Sequence, residues 1–237
     1  MRTRLHVLSL LATVSVVSVV FALATPVPSW AASPIQPGDM VVAGNEQCTL
    51  NFVFDGTGRL AGNVYLGVAA HCVHELGQTV SDGRGRAWGR VAFIGDSSHI
   101  PTDFAFIRVL SGFTQSVRAS VVGHPGTPTG VASSRQAQLG DLVLLSGYGL
   151  IFRPTAFTRQ QRDGVLLSAG GSEYQAEAPI FFGDSGGPVV LARGGGALGM
   201  VNDICAGTCG LLEGVTVQDI LSKAAARGFP VRLRSAG

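Results

Sequence analysis

The octapeptide Phe182-Gly183-Asp184-Ser185-Gly186-Gly187-Pro188-Val189 sets one serine among three glycines, with an acid directly before it. Glycine adopts backbone angles that other residues resist, and it leaves room for a carbonyl to approach. Backbone N–H groups in such a turn can point at an oxygen that becomes negative during acyl transfer. A serine hydroxyl is a weak nucleophile until a neighbouring base takes its proton. The sequence offers a base in Ala69-Ala70-His71-Cys72 and an acid to orient it in Thr102-Asp103-Phe104-Ala105-Phe106-Ile107.

The other histidines fit that role less well. His6 lies in the N-terminal apolar region, His74 lacks the flanking pattern, His99 sits in a polar stretch and His124 precedes Pro125. Among the acids, Asp96 in Gly95-Asp96-Ser97-Ser98 reads as a turn residue. Asp103 instead opens an apolar strand whose residues can bury its carboxylate.

In the order His…Asp…Ser, the three motifs resemble the chymotrypsin-like serine peptidases of the bacterial secreted type. Subtilisins and α/β-hydrolases order the same roles differently. The resemblance implies His71 as general base, Asp103 as its orienting acid and Ser185 as nucleophile. The N–H groups of Gly183 and Ser185 would form the oxyanion hole. It also implies that Asp184 pairs with a buried cation that holds the loop in shape. That cation is a new N-terminal ammonium in zymogen-type relatives and an internal arginine in several bacterial ones. Arg153 is the candidate here.

Two positions depart from the family pattern. A serine that hydrogen-bonds the orienting acid is replaced by Asn202 in Gly199-Met200-Val201-Asn202, and its amide can still donate. The position that carries an acid in trypsin-like members is Pro179. With Ile180, Phe181 and Val201 it implies an apolar specificity pocket, with Ile204 narrowing the mouth and Asp203 close by.

The elements that must position these residues are legible in outline. Gly numbers 33 among 237 residues and only 14% of residues are charged, which suits an all-β chain with many turns. Strand-length apolar stretches fall at Asn51–Phe54, Val64–Val68, Trp88–Ile94, Phe104–Leu110, Asp141–Leu145, Gly164–Leu167, Pro188–Leu191 and Ala197–Val201. Thr216 can cap a helix over Val217–Arg227, with Gly228 as its stop. The resemblance implies two six-stranded antiparallel β-barrels with the site in the cleft between them and a C-terminal helix. The corresponding division is a signal peptide over 1–31, an N-terminal segment and first barrel over 32–123, a linker over 124–136, and the second barrel with the helix over 137–237.

A short basic start and the apolar run Leu8–Ala24, with small residues before possible cleavage points at Ala24 and Ala31, read as a secretory signal. An uncleaved membrane anchor is the alternative, since the run approaches spanning length. Removal of residues 1–31 takes Arg2 and Arg4 from the 17 Lys and Arg, leaving 15 against 15 acids. That balance gives no electrostatic reason to expect nucleic acid or an anionic membrane as partner. The four cysteines of an exported chain are expected as disulfides, with three possible connectivities. The resemblance selects Cys48–Cys72, behind the histidine, and leaves Cys205 with Cys209 to close a local loop. No metal or cofactor is expected.

The reading is therefore a secreted, monomeric serine endopeptidase that acts on protein or peptide substrates through an acyl-enzyme. The alternatives are an inactive homologue that acts by binding, and an esterase using the same apparatus.

Overall fold

Short, largely buried apolar runs form many of the strands in this computed structural model, which describes residues 33–133, 135–149, 160–204 and 210–237. The first sheet draws on β1 (Met40–Ala43), β2 (Glu46–Thr49), β3 (Val53–Gly56), β4 (Val64–Val68), β5 (Thr79–Ser81), β6 (Ala87–Ile94) and β7 (Ala105–Val109). The second comprises β8 (Leu142–Gly147), β9 (Gln160–Gly170), β10 (Glu173–Glu177), β11 (Pro188–Leu191), β12 (Ala197–Met200), β13 (Asp203–Ile204) and β14 (Leu211–Val215). Helix α1 (Val217–Ala226) and β15 (Val231–Leu233) close the chain.

Strand order is β15-β3-β4-β7-β6-β5-β1-β2 in the first sheet and β12-β11-β8-β9-β10-β14-β13 in the second. All the strand pairings within these sheets are antiparallel. Against the two six-stranded barrels expected, the described residues form two antiparallel sheets of eight and seven strands, with short strands such as β13 and β15 among them. In β10 the side chains alternate: Tyr174 and Ala176 are buried, while Glu173, Gln175 and Glu177 face out.

Two apolar clusters form: the larger joins the first sheet to Val190, Ala197, Met200 and Val215 of the second, and the smaller belongs to the second sheet's half of the chain. The larger contains Phe54, Tyr65, Phe104 and Phe106, with Phe93 packed beside them. Their rings meet edge-on or stacked, as at Phe54–Phe106 (5.1 Å between centroids) and Phe93–Phe104 (5.6 Å). Val217, Ile220 and Ala224 of α1 join this larger cluster, where the helix lies against β12 of the second sheet as well as β15, and Phe229 stacks on Phe106 at 5.4 Å. The C-terminus therefore returns to the first sheet, where β15 pairs with β3. Thr216 caps the helix by accepting the Asp219 N–H at 3.3 Å, as expected from the sequence.

Candidate active site

Register brings the first two candidate side chains together. β4 and β7 are neighbours, with Val68 opposite Ala105. His71 lies three residues past Val68 and Asp103 two residues before Ala105, so both sit at the same sheet edge. Each occupies or follows a tight 3-10 turn, Ala70–Cys72 and Ile100–Thr102. His71 Nδ1 lies 2.8 Å from Asp103 Oδ2, and the His71 backbone N–H donates to Asp103 Oδ1 at 2.9 Å. A carboxylate only accepts, so the imidazole proton sits on Nδ1 and the Nε2 lone pair is left available. Asp103 is 5% exposed while the His71 side chain is 39% exposed. The acid is enclosed and the base faces outward.

The hydrogen bond from Asp103 raises the His71 pKa above its ordinary value. Burial opposes that shift, and the charges of Asp103, Asp203 and Glu46 reinforce it.

The second sheet completes the support of the acid. β12 pairs with β11, and Asn202 follows β12 by two residues. Asn202 Nδ2 donates to Asp103 Oδ2 at 3.0 Å and to the Asp103 carbonyl, while its Oδ1 accepts the Val215 N–H at 2.9 Å. The amide has only one useful orientation in that setting. Helix α1 adds a further anchor, with Lys223 Nζ donating to the Pro101 carbonyl at 3.0 Å.

Ser185 precedes β11, at the same end of the second sheet as Asn202. Its carbonyl accepts the Thr49 N–H at 2.9 Å and lies 4.0 Å from Sγ of Cys72, the neighbour of His71. A Cβ at Gly186, where φ is 86°, would lie 2.5 Å from the Thr49 carbonyl oxygen and 3.0 Å from Ala69 N. Only glycine lets the serine turn seat this closely against the histidine turn. Among the described residues, no hydrogen bond joins Ser185 Oγ to His71 Nε2.

Within the turn, the N–H groups of Asp184, Gly186 and Gly187 donate to the carbonyls of Phe181, Val201 and Asp184. The N–H groups of Gly183 and Ser185 have no protein acceptor among the described residues. That pattern leaves two N–H donors of one turn without a protein acceptor among the described residues, as donors to an oxyanion would need to be.

Asp184 is held by Arg162, both of whose terminal nitrogens meet its carboxylate, with side chains 8% and 2% exposed for arginine and acid. The N–H groups of Gly149 and Phe181 complete its shell at 2.8 and 2.9 Å. Arg153, the cation expected from the sequence, lies outside the described residues, and Arg162 of β9 occupies the role. β9 was expected only over its central apolar part, so the arginine near its start carried no signal.

Cys48 and Cys72 form the expected disulfide. They lie beside His71 in a cluster with metal-ligand spacing, but both sulfurs are consumed by the bridge, so the cluster offers no thiolates. Cys205, Cys209, the Ile204 side chain and residues 1–31 lie outside the described residues. Of the expected pocket residues, Val201 is buried in the smaller cluster and Ile180 packs against that cluster. The Arg162 guanidinium lies 5.8 Å from the Phe181 ring centroid, and Arg162 Nη1 donates to the carbonyl of exposed Pro179 at 3.1 Å.

The overall arrangement recurs in known structures. The chain is similar to protease A of Thermobifida fusca, with TM-score 0.62 and 22% identity over 86% of this chain and 100% of that one. It is similar to Nocardiopsis protease, with TM-score 0.61 and 23% identity over 86% and 100%. Chymotrypsin from Cellulomonas bogoriensis gives TM-score 0.57 and 20% identity over 85% and 100%. No protein-family model matches the sequence, and comparison with curated proteins gives no match. The chain has the chymotrypsin-like serine protease fold.

Proposed function

We propose that this protein is a secreted serine endopeptidase that cleaves peptide bonds through an acyl-enzyme. The observation that carries the reading is the His71–Asp103 pair, two hydrogen bonds long and braced by Asn202, at the edge where the Ser185 turn seats. In this reading Nε2 of neutral His71 removes the Ser185 proton as Oγ attacks the substrate carbonyl. The Gly183 and Ser185 N–H groups receive the oxygen as it becomes negative. Asp103 stabilises the imidazolium, which then protonates the departing amine. Water attacks the resulting ester with His71 again as base, and Ser185 regains its proton.

Asn202 and Arg162 weaken the case for an inactive binding homologue. Both are departures or gaps in the sequence pattern, and both have partners that suit catalysis. An internal arginine on Asp184 means that the turn needs no newly cut N-terminus to hold its shape. The apolar run near the N-terminus supports export, and among the described residues no helix is long and apolar enough to cross a membrane.

The test is reaction of purified protein, lacking residues 1–31, with a fluorophosphonate, followed by peptide mapping. A phosphonylated Ser185 is expected, at a rate that rises with pH as His71 loses its proton. Absence of labelling across the pH range in folded protein contradicts the reading.

A further inference from the structure

Thr49 sits at the end of β2, is fully buried, and immediately follows disulfide-bonded Cys48. Its hydroxyl donates to the Gly183 carbonyl at 2.7 Å and accepts the Tyr148 N–H at 3.1 Å. Its backbone N–H donates to the Ser185 carbonyl at 2.9 Å. One residue thus fixes a carbonyl on either side of Asp184, and between those two carbonyls lies the peptide that carries the Ser185 N–H. The preceding Cys48 ties the same strand to the histidine turn.

We infer that Thr49 is a positioning residue for the oxyanion hole, acting through the Gly183 and Ser185 peptides. The backbone contact needs no particular side chain, but the hydroxyl contact does. Gly183 has φ of 101°, a conformation with wide rotational freedom, so its peptide depends on outside restraint. The hydroxyl supplies it, using its one proton toward Gly183 and a lone pair toward Tyr148. Gln47 Nε2 donates to the Tyr148 carbonyl at 3.4 Å, so both backbone polar groups of Tyr148 are met by β2 side chains. Valine has nearly the shape of threonine but removes the hydroxyl that holds the Gly183 carbonyl and the Tyr148 N–H. The turn would then relax, and displacement of a catalytic group by about 1 Å can cost on the order of 10²-fold in rate.

This inference rests on the serine-peptidase reading, and wild type serves as the control that separates the two. Wild type, Thr49→Val and Thr49→Ser are compared for fluorophosphonate labelling rate, for kcat and KM on one peptide substrate, and for thermal unfolding. Thr49→Val is expected to lower labelling and kcat by about 10- to 100-fold with KM nearly unchanged. The midpoint of its pH–rate profile should stay put, because His71 and Asp103 are untouched. Thr49→Ser keeps the hydroxyl and should remain within about threefold of wild type. Folded Thr49→Val that labels at the wild-type rate overturns the inference, as does Thr49→Ser that falls as far as Thr49→Val. If Thr49→Val does not fold, Thr49→Ser decides alone, and a loss beyond tenfold overturns it. An unlabelled wild type removes the peptidase reading and this inference with it.

Discussion

Arg162 and Asp184 form a buried pair in which both terminal guanidinium nitrogens meet the carboxylate. The arginine comes from β9 and the acid from the turn that carries Ser185, so a strand of the second sheet anchors that turn. Space for this pair is tight. A Cβ at Gly147 or Gly149 would lie 2.3 Å from an Asp184 carboxylate oxygen.

Removing the arginine leaves a buried carboxylate without its counter-charge, which typically costs about 3–5 kcal/mol. Arg162→Ala should therefore lower the melting temperature by many degrees and abolish labelling of Ser185. Arg162→Lys should recover little, since an ammonium cannot supply the two parallel donors. Thermal melts together with labelling check this. A fully active Arg162→Lys variant would mean that the paired geometry is dispensable.

The pH profile follows from His71. Its pKa in the folded protein is raised, first by the Asp103 hydrogen bond. Turnover needs the neutral imidazole, so activity should climb with pH and its midpoint should lie above the ordinary value of about 6.5. The same shift has the opposite sign for stability. The contribution of protonated His71 is fully present below about 6.5 and fades as pH rises through the raised value. Asp203→Asn and Glu46→Gln each delete a charge that raises this pKa, so each should move the activity midpoint downward. A midpoint that moves upward in either variant would contradict the assignment.

The Cys48–Cys72 bridge closes a loop with sequence separation 24. Bridges of this kind typically contribute about 2–4 kcal/mol. The Cys48→Ala, Cys72→Ala double variant should unfold at lower denaturant and lose activity more steeply than stability, because Cys72 adjoins His71. Equal activity of the folded double variant would show that the bridge only stabilises.

Specificity should favour cleavage after small or medium apolar residues. Pro179 offers no charge to pair with a buried lysine or arginine, and the nearby Arg162 already places a cation beside Pro179 and Phe181. Burying a further unpaired cation costs several kcal/mol. Matched peptides that differ only at the residue before the cleaved bond provide the measurement, as kcat/KM. Faster cleavage after Arg or Lys than after Leu would mean that Asp203 reaches the pocket.

Sequence showed most clearly what depends on contiguous residues. The serine turn, the histidine turn and the acid before β7 are short local patterns, and the capped helix at Thr216 is another. What it left open depends on partners far apart in the chain. Arg162 reaches Asp184 across 22 residues and leaves no local mark, whereas Asn202, 99 residues from Asp103, was expected as a donor only through the family resemblance. Thr49 looks like any strand-end threonine until the second sheet delivers Gly183 to its hydroxyl, 134 residues on. The helix was visible in the sequence, but its face gave no hint that it would pack in the cluster shared by both sheets.

The central claim is that Ser185 and His71 act as one catalytic unit. It is tested most directly by kcat/KM for peptide hydrolysis in wild type, Ser185→Ala, His71→Ala and the double variant. The account predicts that each single change removes nearly all activity and that the double variant is scarcely worse than either. Independent losses that multiply in the double variant would contradict it.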